Sequence, residues 1–276
     1  VKVVKAHTGP VFLMYKSKPE IDNLIFKHAT GTPEYDFTDE TGVRHIVWVL
    51  RDEEEIKKIV DAFKDVDAFY IADGHHRAAA AVRAAIDFRS ENPNYTGEEE
   101  FNFFLAALFP HNQLKILDYN RVVKDLNGMS EDEFLRKVSE RFEVTPVEGV
   151  YKPERKPTIG MYLSGKWYRL EPKSGTYDEN DVIASLDVSI LQNNLLAPIL
   201  GIENPRTDKR IDFVGGILGI EELIRLVDSG AFKVAFAMYP TSIDDLLRVS
   251  DEGKIMPPKS TWFEPKLKSG IVVHLI

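Results

Sequence analysis

Asp73-Gly74-His75-His76-Arg77 sets an acid, a glycine, two imidazoles and a guanidinium on five consecutive residues. The mostly apolar Phe69-Tyr70-Ile71-Ala72 precedes them, and an alanine-rich stretch follows. That order predicts a strand, a tight turn and a helix, with the polar cluster on the first helical turn. Backbone N–H groups there lack internal partners and lie at the positive end of the helix dipole, so the turn attracts anions. Arg77 adds a forked cationic donor, and the histidines add groups that exchange a proton near neutral pH. Phosphate or carboxylate is the natural guest: Gly74 and Arg77 bind it, while Asp73, His75 and His76 are the candidate catalytic residues. The plainer alternative makes Asp73 a helix N-cap, Gly74 a turn residue and the histidines surface groups. Counted from an N-cap at Asp73, His76 is the third helical residue, whose side chain can curl back toward a guest. His76 is therefore favoured over His75.

Two further clusters carry positive charge. Lys259-Ser260-Thr261 and Lys266 lie among prolines with neither helical nor strand period. A proline-stiffened loop with two ammonium groups and two hydroxyls can clamp phosphate at little ordering cost. Trp262 and Phe263 would anchor that loop or stack on a base; the alternative is a structural loop with solvated lysines. Arg206, Lys209 and Arg210 are candidate ligand contacts, or else a solvated basic face. Because a dianionic phosphoryl group needs several converging cations, residues 73–77 and 259–266 are expected to line one cleft.

No protein-held metal is expected. His75 and His76 diverge by roughly 100° on a helix, poor geometry for a shared ion. His45, His111 and Asp118 could join them only through folding, and His7, His28 and His274 have no supporting context. There is no Gly-x-Ser-x-Gly elbow and no Walker or Rossmann glycine fingerprint.

Three long stretches resemble one family. Asp73-Gly74-His75-His76-Arg77, then Arg206-Thr207-Asp208-Lys209-Arg210-Ile211-Asp212-Phe213-Val214-Gly215-Gly216, then Met256-Pro257-Pro258-Lys259-Ser260-Thr261-Trp262-Phe263-Glu264-Pro265-Lys266 with Ser269-Gly270, occur in that order. They resemble the signatures of the uncharacterised family called domain of unknown function one thousand and fifteen, over nearly the whole chain. The Asp-Gly-x-His-Arg pattern is also similar to the phosphate-binding turn of ParB-like and sulfiredoxin-like proteins, including archaeal free-serine kinases. The resemblance implies phosphate binding and serine metabolism. It also implies a further segment before Val1, so the chain reads as N-terminally truncated.

The rest of the chain limits these readings. Its 276 residues, 43% hydrophobic and 29% charged, suit a globular protein of one large or two modest domains. A net charge of −9 opposes the unspecific phosphate attraction of nucleic-acid binders. Absence of cysteine excludes disulfides and thiolate chemistry, and fits a cytoplasmic protein. No stretch is long and apolar enough for a membrane span.

Strands are predicted over 11–15, 69–72, 114–117, 158–163, 166–171, 232–238 and 271–275, with a hairpin around 39–42. Helices are predicted over 19–29, 52–63, 75–89, 130–142, 187–200, 219–229 and 243–251. The pattern is α+β (mixed α/β), with mixed sheets and flanking helices. Two subdomains are expected, 1–150 with the histidine turn and 151–276 with the lysine loop, joined by the Pro-, Glu- and Lys-rich 147–157. The leading functional reading is a phosphoryl-transfer enzyme, kinase or phosphatase, acting on a small hydroxylated metabolite, with serine or phosphoserine first. Its expected cofactor is a nucleotide with magnesium and its partner a small phosphorylated ligand. The alternatives are a noncatalytic nucleotide- or phosphometabolite-binding regulator and, third, a ParB-like nucleic-acid binder.

Overall fold

A computed structural model describes all 276 residues, Val1–Ile276, and divides them into two compact units. Unit 1 comprises Val1–Leu114 and Pro265–Ile276; unit 2 comprises Lys115–Glu264. The chain therefore passes between units at 114 and 264, not at 150. The 147–157 stretch lies inside unit 2, where it joins two strands of a single sheet.

Unit 1 contains β1 (Ala6–His7), β2 (Val11–Tyr15), α1 (Pro19–His28), β3 (Tyr35–Thr38), β4 (Arg44–Val47), α2 (Glu53–Phe63), β5 (Tyr70–Asp73), α3 (His75–Glu91) and β6 (Ala106–Pro110). Its sheet has the order β5-β2-β6, with β2 antiparallel to β5 and parallel to β6. Every residue of β2 is buried, as a continuous apolar run flanked on both sides requires. Tyr15 on that strand meets Phe63 of α2 edge-on, ring centroids 5.1 Å apart. Asp52 caps α2 by accepting from the Glu55 N–H at 3.0 Å.

Unit 2 contains β7 (Lys115–Leu117), β8 (Tyr119–Val123), α4 (Glu131–Arg141), β9 (Phe142–Val147), β10 (Ile159–Leu163), β11 (Lys166–Pro172), α5 (Asp187–Leu191), β12 (Ile211–Gly215), α6 (Glu221–Asp228), β13 (Val234–Met238), α7 (Ile243–Asp251) and β14 (Trp262–Glu264). Six strands in the order β12-β8-β13-β10-β11-β9 make an antiparallel sheet. Alternate residues of its central strands bury against opposite layers. Val234, Phe236 and Met238 join Phe134, Val138, Leu191 and Val249 from α4, α5 and α7. Ala235 and Ala237 face the other way and pack with Leu223 and Val227 of α6. Both faces are covered, which explains why β10 and β13 are buried along their whole length. A last strand, β15 (His274–Leu275), pairs with β1 in unit 1, where the His7 and His274 rings stack at 5.5 Å.

The helix predicted over 187–200 is interrupted. After Leu191 the chain passes into a π-turn, Gln192–Leu196. Buried Asn194 donates its side-chain amide to the Ile190 carbonyl at 3.1 Å, and Pro198 has no N–H to continue the ladder.

Asp187, at the start of α5, is buried and neither of its carboxylate oxygens has a hydrogen-bond partner. Burial pushes its carboxyl up to about 7, partly opposed by the Lys156 ammonium. The folded chain thus keeps a proton that an unfolded aspartate releases near pH 4. This contribution is complete below about pH 4 and is lost as pH rises through about 7, by up to about 1.4 kcal/mol per pH unit. In denaturant unfolding, Asp187→Asn should gain steadily on wild type in stability as pH rises from about 4 to about 7 and keep that lead at pH 8. Stability curves that stay parallel across that range would contradict an uncompensated buried carboxyl.

Candidate functional site

The 73–77 turn forms as its residue types require, one residue out of register with the simplest expectation. Gly74, not Asp73, is the N-cap of α3, at a left-handed φ of +88° that suits only glycine. Asp73 remains in the sheet opposite Phe12, and its Oδ1 accepts from the Gly74 N–H at 2.8 Å. His75, His76 and Arg77 are therefore the first three helical residues. Their N–H groups precede the first helical bond, from Ala78 to the Gly74 carbonyl at 2.9 Å. Both imidazoles are exposed. The side chain that curls back from the third position belongs to Arg77, not His76. Its Nε donates to the Pro10 carbonyl at 3.0 Å. The guanidinium lies so close to Gly74 that a Cβ there would sit 2.7 Å from Nη2.

This contact brings in residues that the motif alone does not reveal. Gly9 lies between Arg77 and Ser269: a Cβ at Gly9 would sit 2.8 Å from Ser269 Oγ and 3.7 Å from Arg77 Cδ. The Gly270 N–H donates to the Thr8 carbonyl at 2.8 Å. Ser269-Gly270 and the 73–77 turn thus meet through Thr8-Gly9-Pro10, all within unit 1. In the sequence, Gly9-Pro10 and Ser269-Gly270 each mark a turn, but nothing in either links it to residues 73–77. Lys266 belongs to unit 1 as well, whereas Lys259, Ser260 and Thr261 belong to unit 2.

In unit 2 the lysine loop is tightly organised. Lys259 has a left-handed φ of +58°, and its carbonyl accepts from Arg121 Nη2 at 3.0 Å. Ser260 is buried, donates its hydroxyl to the Pro257 carbonyl at 2.6 Å, and accepts at its own carbonyl from Thr241 Oγ1 at 2.9 Å. Its hydroxyl proton is committed to the turn, so Ser260 shapes the loop. Thr261 is half-buried. The second and third resembling stretches meet here: a Cβ at Gly215 would lie 2.5 Å from the Trp262 ring, and one at Gly216 would lie within a bond length or two of Asp118. The glycines make room for an indole and a carboxylate, not for a phosphate loop.

Arg210 is also engaged within the fold. Its guanidinium donates to the Leu200 and Gly201 carbonyls at 2.9 Å and to Asp208 at 2.8 Å, clamping the chain beyond the π-turn. Arg206 and Lys209 are exposed. Of the other histidines, His45 pairs with Asp39, His28 with Glu55, and His111 Nδ1 accepts from the Ser17 N–H at 2.9 Å. Each has a local partner within unit 1. No helix is long and apolar enough to cross a membrane.

This is an α+β protein with mixed and antiparallel sheets. The chain belongs to the family described as Protein of unknown function (DUF1015), whose model matches residues 1–189. The match includes the 73–77 turn and ends before the 206–216 and 256–266 stretches. No curated protein matches it. Among solved structures it is similar to a conserved hypothetical protein from Pyrococcus furiosus, at 12% identity and a TM-score of 0.43, over 98% of this chain and 83% of that one. It is also similar to a free serine kinase in complex with AMP, at 12% identity and a TM-score of 0.40, over 95% and 94%. A third is SbnI with a C-terminal truncation from Staphylococcus aureus, at 11% identity and a TM-score of 0.36, over 99% and 88%.

The closeness of Gly74 to Arg77 has a measurable consequence. Gly74→Ala should cost about 1–2 kcal/mol for a left-handed alanine, plus the displacement of the guanidinium. On an Arg77→Ala background the second part vanishes, so the glycine change should cost less by about 0.5 kcal/mol or more. Denaturant unfolding of the four proteins measures this coupling, and strict additivity would mean that Arg77 does not lie over Gly74.

Proposed function

We propose that this protein binds a phosphorylated small molecule at the start of α3 and transfers its phosphoryl group, as a kinase or a phosphatase. The observation that carries this reading is the Gly74–Arg77 arrangement. A left-handed glycine exposes the first N–H groups of a 17-residue helix, and an arginine folds back beside them. Phosphoryl transfer spreads charge over three equatorial oxygens, and catalysis consists largely of holding donors where that charge develops. In this reading the N–H groups of His75 and His76 and the Arg77 guanidinium bind those oxygens, and Lys266 adds positive charge.

One Asp73 oxygen already accepts from Gly74, which leaves the other to orient a hydroxyl or a metal-bound water. An imidazole takes the proton from the attacking hydroxyl of the metabolite in a kinase, or from water in a phosphatase. The phosphorus–oxygen bond to the leaving group breaks as the new one forms. A kinase would use a nucleotide that brings its own magnesium. Serine and phosphoserine are the first substrates to test, a choice that rests on the likeness of the turn to free-serine kinases. Lys259 and Thr261 belong to the other unit and are considered separately below.

The test is phosphate transfer to serine from ATP, and release of phosphate from phosphoserine, with magnesium present. His75→Gln and His76→Gln keep hydrogen-bonding capacity but cannot carry a proton near neutral pH. Whichever histidine is the base should lose about 10²–10⁴-fold in kcat when replaced, with little change in KM. Wild-type turnover with both variants equal to it would remove the histidines from the chemistry. Binding of AMP or phosphoserine without any turnover would assign the site to a regulator.

A further inference from the structure

Arg121 is an unusual residue for the middle of a sheet. It lies on β8 between Phe213 of β12 and Phe236 of β13, and it is 3% exposed. Its guanidinium donates to two carbonyls, those of Tyr119 and Lys259, and stands 5.5 Å from the centroid of the Phe213 ring. No carboxylate pairs with it. A buried charge without a counterion is costly, and burial accordingly pulls the Arg121 pKa down to about 10.

The same corner holds a second cation. The Lys259 ammonium stands 5.5 Å from the Tyr119 ring centroid and 6.0 Å from that of Phe213, again without a carboxylate. Aromatic faces hold both cations, and they leave the positive charge uncancelled. The backbone that presents Lys259 is strained at a left-handed φ, and three hydrogen bonds enforce it. Strain that neighbouring groups over-determine characterises ligand clamps. Two unpaired unit charges match the charge of a phosphate monoester near neutral pH, roughly −1.5 to −2.

We propose that the corner formed by Tyr119, Arg121, Phe213 and Lys259 is a receptor for a phosphate dianion, free or carried on a small molecule. Lys259 makes the contact. Arg121 is a positioning residue: it holds the Lys259 carbonyl and adds its own field from beneath. The receptor lies wholly in unit 2 and neither requires nor supports the chemistry proposed at the 73–77 turn.

The experiment is equilibrium binding of inorganic phosphate and of AMP to the full chain. Wild type is compared with Lys259→Gln, Arg121→Met and Arg77→Ala. Lys259→Gln and Arg121→Met should each weaken the unit 2 phosphate site by about tenfold or more. Tm is recorded for Arg121→Met as well, because the change removes a charge without a counterion and also the donors to the Tyr119 and Lys259 carbonyls. Arg77→Ala should leave this site unchanged. Equal affinity for phosphate and AMP would mean that the dianion alone is recognised; tighter AMP would mean that its nucleoside is held as well. Both results support the receptor. If Lys259→Gln and Arg121→Met bind as wild type does, or wild type binds neither probe, the receptor is refuted. A fall in Tm for Arg121→Met with affinity intact would make Arg121 a structural strut. Should that variant not fold, Lys259→Gln, an exposed change, decides alone. Loss of binding in Lys259→Gln with none in Arg77→Ala would overturn the 73–77 reading and leave this one standing.

Discussion

Arg77 reaches back over Gly74 to the Pro10 carbonyl, and the organisation of unit 1 around its helix start depends on that contact. The glycine must be left-handed for β5 to turn directly into α3, and it must lack a side chain for the guanidinium to lie over it. Arg77 in turn holds the Pro10 carbonyl and passes beside Gly9, which also abuts Ser269. A cation is thereby held at the one end of the helix where unsatisfied N–H groups already carry partial positive charge. Like charges assembled in this way repel one another, and that repulsion is the physical basis of the anion site proposed above.

Unit 2 shows a related economy on a different scaffold. Gly215 and Gly216 are small because Trp262 and Asp118 occupy the space that side chains would fill. Trp262 meets Tyr119 edge-on at 5.4 Å, and Tyr119 in turn lies beneath the Lys259 ammonium. Residues from both C-terminal stretches of the sequence are thus joined by ring packing. The hydrogen bonds of Arg121, Thr241 and Ser260 then set the shape of the loop.

Elements with a clean apolar period were legible in the sequence, β2, β10, β13, α2 and α7 among them. Strand β8 was missed because Asn120 and Arg121 interrupt its apolar pattern. Only the fold supplies their partners: Asn120 Oδ1 accepts from the Met238 N–H at 2.9 Å, and Arg121 lies over Phe213. Strand β9 was missed because Pro146 reads as a breaker, yet β9 is an edge strand, where a missing N–H is tolerated. At the histidine turn the chemistry of the residues was readable and the register was not. An aspartate before a glycine looks like a cap, and only the sheet pairing of Asp73 with Phe12 moves the cap to Gly74. Gly9 and Ser269 are separated from that turn by too much sequence for any local pattern to connect them.

The central claim is that the first turn of α3 is an anion site built by Gly74 and Arg77. Backbone amide NMR of the full chain titrated with inorganic phosphate tests it most directly, because the N–H groups of Gly74, His75, His76 and Arg77 are themselves the reporters. Saturable shifts of these four amides, lost in Arg77→Ala, are the expected result. Amides of 74–77 that stay unmoved at phosphate concentrations that shift others would contradict the account.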